Sequence, residues 1–337
     1  MSDDYGLFVN PKDGGKPIEI TNKTFPLSFI KKITVDPWSG DKYNKVKSFN
    51  IHGLSKYDVV IVPMSTCHFW AYGYVTKTLI SRWWVEGDTF RCEYSQIAWD
   101  GGWLPGNDGE THFMLFGTLK DVPKNTYGLF INGLDGAIDN FRGITQDSDL
   151  SYCVFRDKVT FSNRQKWSIP TSIPNRDSAC VFMRPASSSH VLRYDRANKQ
   201  VWSSGAGDVY VVIFSYGLNL QPADGLTIWN SAGKVTYSSD YVPFVKNGHQ
   251  LTLNKNSATS SFAVPMFTFD TPSAWIEEER DSFNVFAGGY KVSGNRLIGA
   301  RQWTIGSYPK YTGSSMDIYD QEIIYGGSYA IDFNDYF

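Results

Sequence analysis

Short runs of alternating apolar and polar residues recur along the whole chain, and clusters rich in Gly, Asn and Asp separate them. Tyr5-Gly6-Leu7-Phe8-Val9-Asn10 is followed by Asp13-Gly14, and Tyr127-Gly128-Leu129-Phe130-Ile131-Asn132 by Asp135-Gly136 at the same spacing. A weaker third copy reads Asp224-Gly225-Leu226-Thr227-Ile228-Trp229-Asn230, then Gly233, with Asn230 one place later than its counterparts. Alternation of period two makes a strand with one face apolar. Asn, Asp and Gly tolerate the positive φ of a tight turn. Each copy therefore predicts a β-hairpin whose second strand is Pro17–Ile20, Ala137-Ile138 or Lys234–Tyr237.

The rest of each repeat follows the same plan. Val59–Met64, Ala179–Met183 and Phe262–Met266 are matching apolar runs. A second hairpin comes next, turning at Glu86-Gly87-Asp88, Asp195 to Asn198 and Ser293-Gly294-Asn295. Each repeat closes on an apolar strand: Thr111 to Phe116, Val209 to Phe214, and Ser328 to Phe333. Such a density of short strands and turns points to an all-β fold of three tandem small β-sandwich-like domains, at 1–120, 121–220 and 221–337. Helical periodicity is almost absent, and Pro272 to Phe283 is the best candidate for a turn or two of helix. The links Lys120–Lys124 and Asn219–Asp224 are short and contain proline. They predict a semi-rigid row of domains, each with its own core. Leu7, Val9, Leu129, Ile131, Leu226 and Ile228 are expected at equivalent, inward-facing places.

Composition sharpens this picture. Aromatic residues reach 16% while charged ones fall to 20%, a balance that favours half-buried strands over helices. The formal net charge of -2 argues against a dedicated nucleic-acid binder. No stretch approaches the ~20 apolar residues that span a bilayer, so no membrane insertion is expected. The acidic start Met1-Ser-Asp-Asp-Tyr5 lacks the features of a signal peptide and predicts synthesis in a cytoplasm. Cys67, Cys92, Cys153 and Cys180 form no Cys-x-x-Cys pair and are expected as reduced thiols.

Catalytic signatures are missing. The chain has no phosphate-binding glycine loop, no His-Glu-x-x-His and no Gly-x-Ser-x-Gly. His52, His68, His112, His190 and His249 are scattered. Only Cys67-His68 are close, and neighbours on a strand point to opposite faces. Neither metal nor cofactor is expected. Glu277-Glu278-Glu279 with Asp281 could supply paired carboxylates to a glycosidase, but a solvated charged surface is the plainer reading. Asp13, Asp135, Asp139 and Asp224 read as ordinary turn residues. The aromatic loop region is the best candidate contact surface. Trp83 and Trp84 on a strand, and Trp99 and Trp103 beside Gly-rich turns, could stack on a glycan or anchor a protein partner.

At its Tyr-Gly-Leu-Phe-Val/Ile-Asn-x-x-Asp-Gly openings the chain resembles small β-domain proteins encoded among the tail genes of long-tailed bacteriophages. Tyr329-Ala330-Ile331-Asp332 is similar to the final strand of those proteins. There the two motifs frame one domain, whereas here the opening comes three times and the close once. The resemblance implies a non-enzymatic virion component of the tail, at the tail tip or fibre base. It implies other tail proteins as partners, a homo-oligomer in the virion and contact with the host surface. It supplies no catalytic residues. A carbohydrate-binding adhesion module and a glycan-degrading enzyme are the competing readings.

Overall fold

The computed structural model describes residues 7–9, 18–20, 25–36, 45–71, 75–96, 111–120, 128–131, 142–145, 149–253, 257–269, 274–278, 282–309 and 327–337. These form an all-β fold of antiparallel sheets, with almost no helix. The first third carries β1 (Leu7–Val9), β2 (Ile18–Ile20), β3 (Ser28–Val35), β4 (Val46–Asn50), β5 (Tyr57–Ser65), β6 (Cys67–Ala71), β7 (Val75–Glu86), β8 (Thr89–Gln96) and β9 (Thr111–Leu119). The second carries β10 (Gly128–Ile131), β11 (Arg142–Thr145), β12 (Tyr152–Phe161), β13 (Gln165–Ser168), β14 (Cys180–Pro185), β15 (Leu192–Asp195), β16 (Gln200–Ser203) and β17 (Gly207–Ser215). The last carries β18 (Thr227–Trp229), β19 (Val235–Ser238), β20 (His249–Thr252), β21 (Ser257–Thr259), β22 (Pro265–Thr268), β23 (Ala274–Glu278), β24 (Ser282–Ser293), β25 (Arg296–Pro309) and β26 (Gly327–Asp332).

The three thirds share one strand order. Each opens with a two-stranded hairpin: β1-β2, β10-β11 or β18-β19. In each, the closing strand lies between two others, as β3-β9-β5, β12-β17-β14 and β20-β26-β22. In each, a second sheet repeats the order β4-β8-β7, β13-β16-β15 and β21-β25-β24. The apolar runs that close each repeat are thus central strands, buried on both faces, which is why they read as continuous rather than alternating. On β9, Phe113 and Leu115 face the second sheet while Met114 and Phe116 face the middle of the molecule. On β17, Val211 and Ile213 divide from Val212 and Phe214 in the same way.

What joins the thirds is a closed ring of backbone hydrogen bonds. Just after each opening hairpin comes a short extended segment: 25–29, 149–153 and 242–246. The Leu27 N–H donates to the Phe244 carbonyl (2.7 Å), Phe244 N–H to Ser151 (2.7 Å), and Ser151 N–H back to Leu27 (3.0 Å). A second layer runs the other way round: Phe29 N–H to Asp149, Cys153 N–H to Val242, and Lys246 N–H to Phe25, at 2.8, 2.8 and 2.9 Å. Each segment thereby bonds to both others in the same register, a threefold pattern within one chain. Leu27, Ser151 and Phe244 are fully buried at its centre. Such a ring satisfies backbone groups that would otherwise be orphaned in the core.

This ring overturns the expected row. The thirds surround a shared axial core that draws on residues from Ile20 to Tyr336. Nor does each third keep a core to itself. The first has one, built from Ile33, Ile61, Phe90 and Phe113 among others. The second and third share theirs, because β14 pairs with β22 and β15 with β24. The described residues of Pro272–Phe283, where a helix was expected, are strand instead. β23 occupies this stretch and pairs with β24, Trp275 opposite Phe286 and Glu277 opposite Asn284. Sheet pairing outweighs the helix propensity of the glutamates.

Register also corrects the opening hairpins. In the second, the strand opposite Gly128–Ile131 is Arg142–Thr145, and Ala137-Ile138 lies outside the described residues. In the third, Gly225-Leu226 precedes β18, and a bulge lies between Ile228 and Trp229. The residues opposite Val9, Ile131 and Trp229 stand equally far ahead of their axial segments. In sequence an Asn follows each of the three. The conserved spacing therefore runs through Asn10, Asn132 and Asn230 rather than through the Gly-Leu pairs.

Candidate functional site

The four tryptophans expected at a contact surface have different fates. Trp83 is half-buried in the seam between the first and last thirds. Its indole Nε1–H donates to Gln250 Oε1 (3.0 Å), and its ring lies 5.5 Å from that of Phe113. Gly327 gives it room: a Cβ there would meet the Trp83 ring at 2.2 Å. Trp84 points the other way, as alternation on β7 requires. It is half-buried, with the Arg82 guanidinium 4.7 Å over its ring. Trp99 and Trp103 lie outside the described residues. The large apolar side chains that are exposed, among the described residues, are Phe8 (64%) on β1 and Trp229 (50%) on β18. Both stand on opening hairpins. Phe8 shares its register place with Phe130, since Glu19 and Gly143 opposite them are equally far from the axial segments. Sequence reading grouped these residues as strand formers and passed over their exposure.

No catalytic constellation assembles among the described residues. His249 is the nearest approach. Its Nε2 is 3.2 Å from the Ser260 hydroxyl and its Nδ1 3.4 Å from that of Ser261. Partial burial lowers its pKa, which keeps the ring neutral at pH 7. Both ring nitrogens thus face hydroxyls, with no carboxylate bond to orient the ring for nucleophile activation. His190 is buried against Gly205 and Gly207, its Nδ1 3.5 Å from Ser203 Oγ, sealed from any substrate. No group of three His, Cys, Asp or Glu side chains among the described residues could hold a metal. Cys92, Cys153 and Cys180 form no disulfide, and burial pushes the Cys92 thiol up to about 12. Side chains at Glu277 and Glu278 lie outside the described residues, as do Glu279 and Asp281. No helix among the described residues is long and apolar enough to cross a membrane.

An open groove does form where the second and third thirds meet beside the axis. Its volume is about 850 Å3. Cys153 and Val154 wall one side, Ser172 and Pro174 another, and Asp240 to Val242 a third. The link from Gly217 to Pro222 forms the rim. The walls are tied down. Ser215 Oγ donates to the Pro174 carbonyl (2.6 Å), Asn175 Nδ2 donates to the Tyr216 carbonyl (2.9 Å), and the Tyr216 ring stacks on Phe29 at 3.7 Å. Asp149 lies behind Gly217, whose N–H it accepts. Burial nevertheless holds its pKa above the ordinary carboxylate value.

Residues 6–310 match the model of a family of unknown function (DUF6453). The chain belongs to this family. The match begins in the first repeat and runs into the third, ending before β26. No curated protein and no solved structure matches the chain.

Proposed function

We propose that the protein is a non-enzymatic structural component of a bacteriophage tail, in the tail-tip or fibre-base region, each third being a small β-sandwich-like unit. The observation that carries this reading is the threefold hydrogen-bond ring at 25–29, 149–153 and 242–246. A chain that closes three similar units about one axis presents similar surfaces in three directions. That suits a part seated on the axis of a symmetric assembly. The resemblance of the Tyr5–Gly14 and Tyr127–Gly136 openings to phage tail proteins points the same way. The opening hairpins offer Phe8 and Trp229 as anchors to neighbouring tail proteins, the residue types that dominate interface energetics. Localisation to the virion after synthesis in the host cytoplasm follows from the same reading.

Mass spectrometry and cryo-electron microscopy of purified virions test it. The chain is expected in every particle, at tail stoichiometry, with density on or around the tail axis. Phe8→Ala combined with Trp229→Ala is expected to lower its incorporation at least tenfold. Particles that lack the chain would sink the proposal.

A further inference from the structure

We propose that the three opening hairpins together dock one homotrimeric protein, each hairpin seating its outer face in an apolar pocket of a different subunit. The partner's place in the tail rests on the proposed function, and its threefold symmetry is the addition.

The hairpins are set alike about the axial ring. Ile18, Arg142 and Val235, opposite Val9, Ile131 and Trp229, each stand nine places ahead of Leu27, Ser151 and Phe244. Those last three residues bond to one another in a closed cycle. The chain therefore reaches each hairpin from an equivalent point of the ring, over a link of the same length.

Inner faces are fixed by packing. Ile20 of β2, and Val235 and Tyr237 of β19, are buried in the axial core, and Ile228 packs against it. The Tyr152 hydroxyl donates to the Thr236 carbonyl (3.4 Å), tying the third hairpin to the second third. A two-stranded sheet packed on one face turns its other face outward. On β1 the outward place is that of Phe8, between Leu7 and Val9. On β18 the bulge after Ile228 re-aims the chain and brings out Trp229. These two rings are 64% and 50% exposed. In the second hairpin Phe130 holds the register place of Phe8. Rings of this size are the residue types that anchor interfaces.

Symmetry decides what fits. The two exposed rings belong to different thirds, so one peptide or sugar bound at one hairpin leaves the other bare. A homotrimer coaxial with the ring offers the same patch to each hairpin, with no subunit left over. Contacts made by one partner at several points also reinforce one another, because the later ones form within the complex. One hairpin presents a phenyl ring and another an indole. The repeated pocket must therefore be apolar and wide enough for either.

Photo-crosslinking in assembled particles tests this. Phe8→p-benzoylphenylalanine, Phe130→p-benzoylphenylalanine and Trp229→p-benzoylphenylalanine are built singly into virions, which are irradiated and digested. All three are expected to link to the same region of one tail protein. Native mass spectrometry of the complex released from the tail is expected to give one chain to three partner subunits. Trp229→Phe, which copies the first hairpin, should enter particles as well as the parent chain, while Trp229→Asp should fall about tenfold or more. Links to three different proteins, to unrelated regions of one protein or to a second copy of this chain overturn the proposal. So does a ratio other than one to three, or equal losses with Trp229→Phe and Trp229→Asp. A chain absent from particles overturns the tail reading and the trimer with it. A chain present in particles whose hairpins form no link overturns the trimer alone.

Discussion

The first third and the fused pair of later thirds are built on one strand order, yet they join the molecule differently. Between the second and third, sheets run on: Phe182 and Met183 of β14 pair with Thr268 and Phe267 of β22. Leu192 of β15 pairs with Tyr290 of β24. The first third attaches through side chains instead. Gln250 receives the Trp83 indole and donates to the Ile61 carbonyl at 3.0 Å, while Gly327 N–H donates to Thr66 Oγ1 at 3.0 Å. Lys246 pairs with Asp58 across the same seam. One interface is a continued core and the other a polar-rimmed contact. Only the axial ring treats the three alike. The same repeat can therefore give two grades of attachment, depending on whether an edge strand is continued or capped.

The largest test acts on the part they share. Phe244 sits at the ring's centre, its ring 4.6 Å from Phe214, 5.2 Å from Phe116 and 5.8 Å from Phe182, which reach it from two different thirds. Phe244→Ala removes those contacts and leaves a cavity, at a cost of about 3–5 kcal/mol. Both regions are expected to lose stability together in a denaturant titration followed by hydrogen exchange. Loss confined to one third would show that the ring does not couple them.

The two seams should answer differently to single changes. A Cβ at Gly289 meets the Leu192 backbone carbonyl at 2.5 Å, where nothing can swing aside. Gly289→Ala is expected to cost about 1–3 kcal/mol of strain and to speed exchange at β15 and β24. Trp83→Phe keeps the ring against Phe113 but removes the bond to Gln250. Its cost is about 1 kcal/mol, and it should speed exchange at the seam around Ile61 and Gly327 alone. Equal responses at both seams would erase the distinction between continued and capped edges.

Much of this was legible in the chain, and the limit has a physical cause. The hairpins at Glu86–Asp88 and Ser293–Asn295 fall where turn chemistry puts them, with Gly87 and Gly294 at φ 58° and 60°. The closing strands were visible as apolar runs. The ring was not. Phe-Pro-Leu-Ser-Phe, Asp-Leu-Ser-Tyr-Cys and Val-Pro-Phe-Val-Lys share no side-chain pattern, because backbone groups make the bonds. The pairing of β14 with β22 was hidden for a related reason. A strand buried on both faces looks the same in sequence whether its edge is free or continued. The place of Trp83 was hidden because a strand tryptophan facing solvent reads the same in sequence as one half-buried in a seam between units distant in sequence. The groove arises from segments near 153, 172, 219 and 241, which no linear motif connects.

The smallest effect gives the sharpest contrast, because it compares one turn in two copies. In the first third, Asp88 follows Gly87 and its backbone carbonyl accepts the Ile51 N–H at 2.7 Å. In the last, Asn295 follows Gly294 and its carbonyl accepts the Ser260 N–H at 2.9 Å. The side chains then differ in charge. Asp88 accepts from the Ser55 and Gly53 N–H groups at 2.8 and 3.1 Å, whereas Asn295 Nδ2 donates to the Ser260 carbonyl at 2.9 Å. Bonds from Ser55 first, and from Gly53, hold the Asp88 carboxyl down to about 2, from an ordinary 3.8. A lowered folded pKa adds stability that is complete above the unfolded value and is lost as pH falls through the folded one. Acidification from pH 4 to pH 2 should therefore free the Gly53 and Ser55 amides to exchange, while the Ser260 turn, tied by a neutral amide, stays protected. Asp88→Asn should remove this pH dependence, with Gly53 and Ser55 exchanging faster at pH 6 as well. A carboxyl titration by carbon NMR with its midpoint near 4, or equal acid responses at both turns, would overturn the assignment.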